Sequence, residues 1–421
     1  MEFLSRTPRN KSQINPLRND DSPMKHLTNT LVTIFFLAMT GVVSAEVSYL
    51  KSSTKTGSSL CVIVKDNVLA HTSQITAIDI HGGLVSPANA SDQTGLTLKN
   101  LNYLLKKVNS DLNQLVKLNI YVADANLVTQ VQNRIAQELK EKHQPACMYV
   151  VTKLTTPGAL VAIDAIAATG SSEKMSKAKI FNDDVSGFRV ALLPAGRTAY
   201  ISGQAVKADT LAESTKKTME ELFQTLKFLG GSSANIIRVK AFLTPMNEAV
   251  ESRQMIDGFF PVDRKPPVSL VEWFSSLPIE IEMIVALPGD APATRPEETV
   301  VYKTPTGMKA SPVFSRVAIA EVSDRIYVSG ITATKPGNND ERIRSVFNQL
   351  KSIVGEAGSD MRHLVKATYY VSGNEISGDF GKIRKDYYDP KRPPAASKAT
   401  IKSVGVANRI LVIDMIAVPA K

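Results

Sequence analysis

The chain repeats itself at long range. Val116-Lys117 in LVKLNIYV, Val239-Lys240 in IRVKAFLT and Val365-Lys366 in LVKATYYV read as one motif met three times, with the lysines 123 and 126 residues apart. A second motif closes each repeat: Ala162-Ile163-Asp164-Ala165-Ile166-Ala167, Glu280-Ile281-Glu282-Met283-Ile284-Val285 and Val412-Ile413-Asp414-Met415-Ile416-Ala417. A period this long belongs to a domain and not to a solenoid turn, so the chain reads as three related modules. We place them at residues 46–170, 171–289 and 290–421, with 1–45 as a leader. Module one is the most eroded.

Within each module the apolar pattern switches between periods of two and 3.6. Short apolar runs around a turn predict an opening hairpin: 61–64 with 68–72, 188–192 with 198–202, and 317–320 with 325–329. Helical stripes follow at Leu98, Leu101, Leu105 and Val108, at Met219, Leu222, Phe223, Leu226 and Leu229, and at Ile343, Val346, Phe347, Leu350 and Ile353. Next come the Val-Lys strand, a second helix (127–141, 248–260, 378–388), a proline break and two strands. The predicted order is β-β-α-β-α-β-β, an α+β module with both helices on one sheet face. The other face needs cover, and two neighbouring modules supply it.

Residues 1–45 read as an export leader. Lys25 and His26 precede the apolar run 31–39, and Val43-Ser44-Ala45 forms a small-residue cleavage pattern before Glu46. Met24 is a candidate true start, and the expected location is periplasmic or secreted. The formal net charge is +10 over 421 residues. Lysines and arginines are scattered and rarely interleaved with aromatics, which argues against a nucleic-acid interface. Cys61 and Cys147 both fall in module one. An exported setting permits a disulfide between them, and two buried thiols fit the sequence equally well. The histidines show no zinc-ligand spacing, and no phosphate-binding glycine loop occurs, so neither metal nor cofactor is expected.

Tyr200-Ile201-Ser202-Gly203-Gln204, the Val-Lys strand, the Pro266-Pro267 break and Leu277-Pro278-Ile279-Glu280-Ile281-Glu282 together resemble the RidA family, also called YjgF or L-PSP. Ser311-Pro312-Val313-Phe314-Ser315-Arg316 ahead of Tyr327-Val328-Ser329-Gly330 extends the resemblance to module three. The resemblance implies a chorismate-mutase-like trimer within one chain, a monomeric pseudo-trimer with sheets inside and helices outside. It also implies ligand clefts between modules and hydrolysis of enamines or imines to 2-keto acids and ammonia. In such clefts an arginine after a Pro-Ala pair grips the substrate carboxylate, and a glutamate of the closing strand positions water.

This chain departs from that pattern. Cys147, Val268 and either Ala396 or Ser397 stand at the arginine position, and only Glu280 keeps the glutamate, against Ala162 and Val412. Arg253 is the expected substitute cation, chosen over Arg264, Lys265, Arg392 and Lys398, which read as surface charges. The expected site therefore comprises Glu280 and Arg253 as catalytic groups, with Ser202, Gly203, Phe314, Ser329, Gly330 and Glu282 as ligand contacts. A small-molecule ligand is the expected partner. The competing readings are an inactive ligand-binding or interaction scaffold and an L-PSP-type endoribonuclease or nucleic-acid binder.

Overall fold

The computed structural model describes residues 46–86, 89–169, 175, 178–288, 297–405 and 409–420; the leader and most of the first linker lie outside them. Module one contributes β1 (Glu46–Leu50), β2 (Cys61–Lys65), β3 (Leu69–Thr72), α1 (Ala90–Lys106), β4 (Leu115–Val122), α2 (Val128–Glu138), β5 (Ala146–Val151) and β6 (Val161–Ala168). Module two repeats the series as β7 (Lys179–Asn182), β8 (Arg189–Leu193), β9 (Thr198–Gln204), α3 (Leu211–Phe228), β10 (Ile236–Leu243), α4 (Ala249–Asp257), β11 (Val268–Glu272) and β12 (Ile279–Ala286). Module three follows with β13 (Val300–Lys303), β14 (Val317–Ala320), β15 (Arg325–Val328), α5 (Asn339–Glu356), β16 (Leu364–Val371), α6 (Asn374–Ile383), β17 (Ala395–Thr400) and β18 (Leu411–Ala417). Each module thus opens with one strand more than the sequence pattern predicts. Helix α6 starts four residues before its expected first residue, because the buried Ile376, Phe380 and Ile383 carry the stripe through Gly378.

The strands form three six-stranded sheets, and none belongs to one module alone. Their orders are β1-β2-β15-β18-β16-β17, β5-β4-β6-β3-β8-β7 and β11-β10-β12-β9-β14-β13. Each module lends its first two strands to the preceding module's sheet, and module one lends its pair to module three. The expected opening hairpins are therefore wrong in partner. The hairpins are β1–β2, β7–β8 and β13–β14. The short link from β2 to β3 carries the chain from one sheet into the next. Period-two alternation fixes which face of a strand is buried but not which neighbour it pairs with.

Helices cover the outer face of each sheet. The stripe Leu98, Leu101, Leu105 and Val108 packs on Leu118, Ile120 and Val122 of β4, and equivalent cores lie under α3 and α5. Alternate residues of β4 point the other way: Lys117, Asn119 and Tyr121 face an interior shared by all three modules. Two apolar layers fill that interior. One contains Val116, Ile237, Val365, Tyr200 and Tyr327, and the other Tyr121, Phe242, Tyr370, Met148 and Trp273. The α+β class and the intrachain trimer of modules, with sheets inside and helices outside, are as the sequence predicts.

A shared irregularity corrects the first sequence motif. Each central strand shifts register against the closing strand, between Leu115 and Lys117, Ile236 and Arg238, and Leu364 and Lys366. Lys117, Arg238 and Lys366 then stand opposite Ile166, Ile284 and Ile416. The true counterpart of Lys117 and Lys366 is Arg238. Lys240 instead matches Asn119 and Thr368, all three standing opposite the acids Asp164, Glu282 and Asp414. A Val-Lys pair two residues too late in β10 had disguised the alignment.

Candidate functional site at the seams between modules

Charged side chains on the inner faces form a belt between the two apolar layers. Arg238 ion-pairs with Asp164 of module one, Lys366 Nζ lies 2.7 Å from Glu282 of module two, and Lys117 Nζ lies 2.6 Å from Asp414 of module three. Every pair joins two modules. All six groups are buried. Asp164 also accepts from Asn119 Nδ2 at 2.7 Å, the Tyr121 hydroxyl at 2.6 Å and Ser269 Oγ at 2.8 Å. Burial opposes its ionisation, yet Arg238 and Lys240 hold its carboxyl below the usual range. Glu282, expected as a ligand contact, belongs to this belt and not to a seam.

The seams themselves differ. Register fixes which residues correspond: Ser73-Gln74 and Ser329-Gly330 follow directly on β3 and β15, and Ser202-Gly203 lie just inside the end of β9. They face the crossing strands β11, β17 and β5 of the next module. In the seam of modules one and two, Gln74 takes the glycine position and bonds both ways to Leu270, each at 3.0 Å. In the seam of modules three and one, Gly330 N–H donates to Cys147 O at 2.9 Å, and Met148 and Val412 pack against the glycine. Ser329 Oγ is occupied too, donating to Ser59 O at 2.6 Å and accepting from Cys147 N–H at 2.8 Å. An open hollow of about 270 Å³ lies alongside, walled by Ser53, Thr56, Ser58 and Ser329.

The seam of modules two and three is built otherwise. Glu280 on β12 lies directly over Gly203, where any Cβ would collide with its carboxylate. Across from them Ser397 on β17 replaces Met148, and β17 packs along β9. Ser202 Oγ, Ser397 Oγ and Glu280 Oε1 are all sealed from solvent and none makes a hydrogen bond of good geometry, although Ser397 stands close enough to Glu280 to favour its ionised form. Buried polar atoms in that condition are rare and costly. Burial pushes the Glu280 carboxyl up to about 7, with the neighbouring Glu282 adding to the rise. Lys366 and Lys398 are the cations acting on it. Lys398 is half-buried, its Nζ 3.3 Å from Ser377 O, and burial lowers its pKa. Phe314 lies on the loop entering this seam, under the Arg316 guanidinium at 5.0 Å. Next to it, Ser202 N–H donates to Arg316 O at 3.0 Å.

The sequence-predicted residues therefore divide. Ser202, Gly203, Glu280 and Phe314 come together in one seam, Ser329 and Gly330 line another, and Glu282 is on the axis. Arg253 is elsewhere: it pairs with Asp257 at 3.5 Å, beside the Arg189–Asp257 bidentate pair, and does not act on Glu280. Its helix α4 turns that side chain toward module one's edge. The sequence reading ranks Lys398 below Arg253 and names Ser397 only as a possible occupant of the arginine position. The register gives the signal: Ala396 is opposite Ala367 as Cys147 is opposite Leu118, so Ala396 holds the arginine position and Lys398 follows two residues on, on the same strand face. Cys61 and Cys147 are free, buried thiols in different cores. Among the described residues no cluster of three or more His, Cys, Asp or Glu could hold a metal ion.

Comparison with known sequences finds the same threefold repeat. The sequence model of the family described as Endoribonuclease L-PSP matches residues 56–169, 184–287 and 305–418. The chain is 34% identical over 93 residues to the mitochondrial protein mmf1 of Schizosaccharomyces pombe, over 21% of this chain and 57% of that one. It therefore spans little more than half of that relative's length. A solved member of the YjgF protein family from Neisseria meningitidis is 17% identical, covering 29% of this chain and 96% of that one, with TM-score 0.23. The structure of yeast Mmf1 is 20% identical, covering 29% and 94%, with TM-score 0.22. With its three matches taking in most of the described residues, this chain belongs to the Endoribonuclease L-PSP family, the RidA or YjgF family, as three tandem copies.

Proposed function

We propose that the seam between modules two and three binds a small, carboxylate-bearing imine or enamine and hydrolyses it to a keto acid and ammonia. One observation carries the reading. Of the three equivalent positions Ala162, Glu280 and Val412, one alone bears a carboxyl group. That group sits buried beside the Ser202 and Ser397 hydroxyls, with no well-formed hydrogen bond on Oε1, and its pKa is pushed up to about 7. A base so poised takes a proton from water as the water oxygen bonds to the imine carbon. It returns that proton to nitrogen, giving a carbinolamine, then relays the hydroxyl proton to the same nitrogen, so that the C–N bond breaks and ammonia leaves as the carbonyl forms; an enamine first takes a proton on carbon to become the imine. Ser202 and Ser397 hydroxyls are placed to hold the reacting centre. Lys398 takes the carboxylate-binding task left open by Ala396, as a point charge in place of a bidentate guanidinium. The export leader belongs to the same reading, which puts the activity outside the cytoplasm.

The test uses the chain purified without residues 1–45 and an unstable 2-imino acid generated in place, followed by keto-acid release. Release above the uncatalysed rate, abolished in Glu280→Gln, supports the proposal. Substrate-analogue binding without turnover assigns the seam to ligand binding alone. Cleavage of RNA insensitive to Glu280→Gln would move the function to the endoribonuclease activity in the family's description.

A further inference from the structure

The belt at the axis does not balance. Lys117, Arg238 and Lys366 are each matched by one carboxylate of the neighbouring module, and Lys240 is a fourth cation that forms no ion pair, although Glu282 stands opposite it in register and its charge reaches Asp164. Its equivalents, Asn119 and Thr368, are neutral. Lys240 is 5% exposed, and of its three N–H donors one is used, on the Tyr370 hydroxyl at 3.1 Å. The rings of Phe242 and Tyr370 stand 6.0 and 5.8 Å from the same ammonium. Beside it lies a cavity of about 40 Å³ lined by Lys117, Arg238, Lys240, Lys366 and Asn119, together with Glu282 and Asp414. That space exceeds the roughly 10–15 Å³ one water needs and is too small for a metabolite.

An uncompensated charge in such a place is expensive, because the surrounding layers are apolar and solvent screening is weak. Each carboxylate of the belt already faces one cation of its own, although Asp414 Oδ1 makes no hydrogen bond. Two unused Lys240 donors and the belt's surplus of one cation point to a guest that accepts hydrogen bonds, carries one negative charge and fits a space of a few atoms. We propose that the axial cavity is a binding site for one halide-sized inorganic anion, chloride in ordinary salt, held by Lys240 and shared among the three modules. The site is distinct from the seam containing Glu280 and has no part in its chemistry. Its consequence is structural: the anion offsets the one cation of the belt that lacks an ion pair.

Crystals of the full described chain grown in sodium bromide, with data collected at the bromine edge, test this directly. An anomalous peak in the axial cavity within hydrogen-bond reach of Lys240 is the expected result. Bromine peaks confined to the surface, or none, overturn the proposal. In solution the wild-type Tm should climb with the logarithm of chloride concentration when gluconate holds the ionic strength constant. In Lys240→Met, which removes the charge but keeps the stem, that dependence should vanish. Equal chloride dependence in both proteins would overturn the assignment to Lys240. If Lys240→Met fails to fold, Lys240→Gln and the bromide data decide.

Discussion

Gln74 grips Leu270 by both backbone groups, its Nε2 donating to the carbonyl and its Oε1 accepting from the N–H, each at 3.0 Å. The side chain behaves as an added piece of β-strand that stitches module one to the edge of module two. Gly203 and Gly330 stand at the same position in the other seams and can make no such bond. Gln74→Ala should therefore cost about 1–3 kcal/mol, the scale of a buried amide pair losing its partners. Urea unfolding monitored by circular dichroism reads it as a lower midpoint with unchanged slope. Keto-acid release at the seam of modules two and three should not change.

Gly203 makes the complementary case. Glu280 occupies the space where a side chain would project from residue 203. Gly203→Ala has to displace the carboxylate while leaving the modules' cores untouched. Turnover should fall about 100-fold, as a misplaced catalytic group commonly does, and the melting temperature should move little. An active Gly203→Ala protein would show that the position of Glu280 is irrelevant to the reaction.

The elevated pKa of Glu280 has a signature in stability. A carboxyl held near 7 in the folded chain, against 4.5 ordinarily, binds its proton more tightly when native. Its contribution is complete below about pH 4.5 and is lost as pH rises through 7, where a charge must be carried in a poorly solvated site. Glu280→Gln should match wild type near pH 4 and exceed it above pH 7, by at most about 3 kcal/mol. Chemical denaturation across that range measures the crossing. Stability curves that run parallel would place the carboxyl at an ordinary pKa.

The belt predicts an unequal response to two neighbouring cations. Arg238→Met strands Asp164, which is fully buried and keeps hydrogen bonds from the neutral donors Asn119, Tyr121 and Ser269, with Lys240 acting on it only at longer range. Breaking one side of a buried pair costs about 3–5 kcal/mol. Arg238→Lys should recover most of it, since Lys117 and Lys366 do the same work in the other modules. Lys240→Met leaves no carboxylate without its ion-pair partner and should cost far less. Denaturant midpoints of the three proteins decide the order.

The repeat, the module plan and the inward-facing sheets were legible because each rests on side-chain period and hydrophobicity. Partner choice was not. Nothing in Val68–Thr72 distinguishes pairing with the preceding strand from pairing with β8 of the next module, because both bury the same face. The register shift beside Arg238 was hidden for a related reason: two cations at spacing two share a face, and the wrong one follows a valine. Glu280 could be read from the motif, and Gly203 with it. Lys398 could not, since a lysine beside two prolines looks like any exposed loop residue until β17 lies along β9. Arg253 misled by its place on a helix near the cleft, where Asp257 already claims it.

That last pair gives the sharpest test of the site. If Lys398 anchors the substrate carboxylate, Lys398→Ala should raise KM for a 2-imino acid about tenfold or more, the loss expected for one charge-assisted contact of about 1.5–3 kcal/mol. Its kcat should change less, because a contact to a non-reacting group contributes alike to bound substrate and transition state. Lys398→Arg should retain activity or improve it, since a guanidinium can grip the carboxylate with two bonds. Arg253→Ala should leave both constants near wild type and lower stability slightly through the lost partner of Asp257. Steady-state kinetics with a carboxylate substrate and its amide analogue separate the cases: the Lys398→Ala defect should appear with the acid and disappear with the amide. A larger defect in Arg253→Ala than in Lys398→Ala would return the anchoring role to α4 and require the helix to move toward the seam on binding.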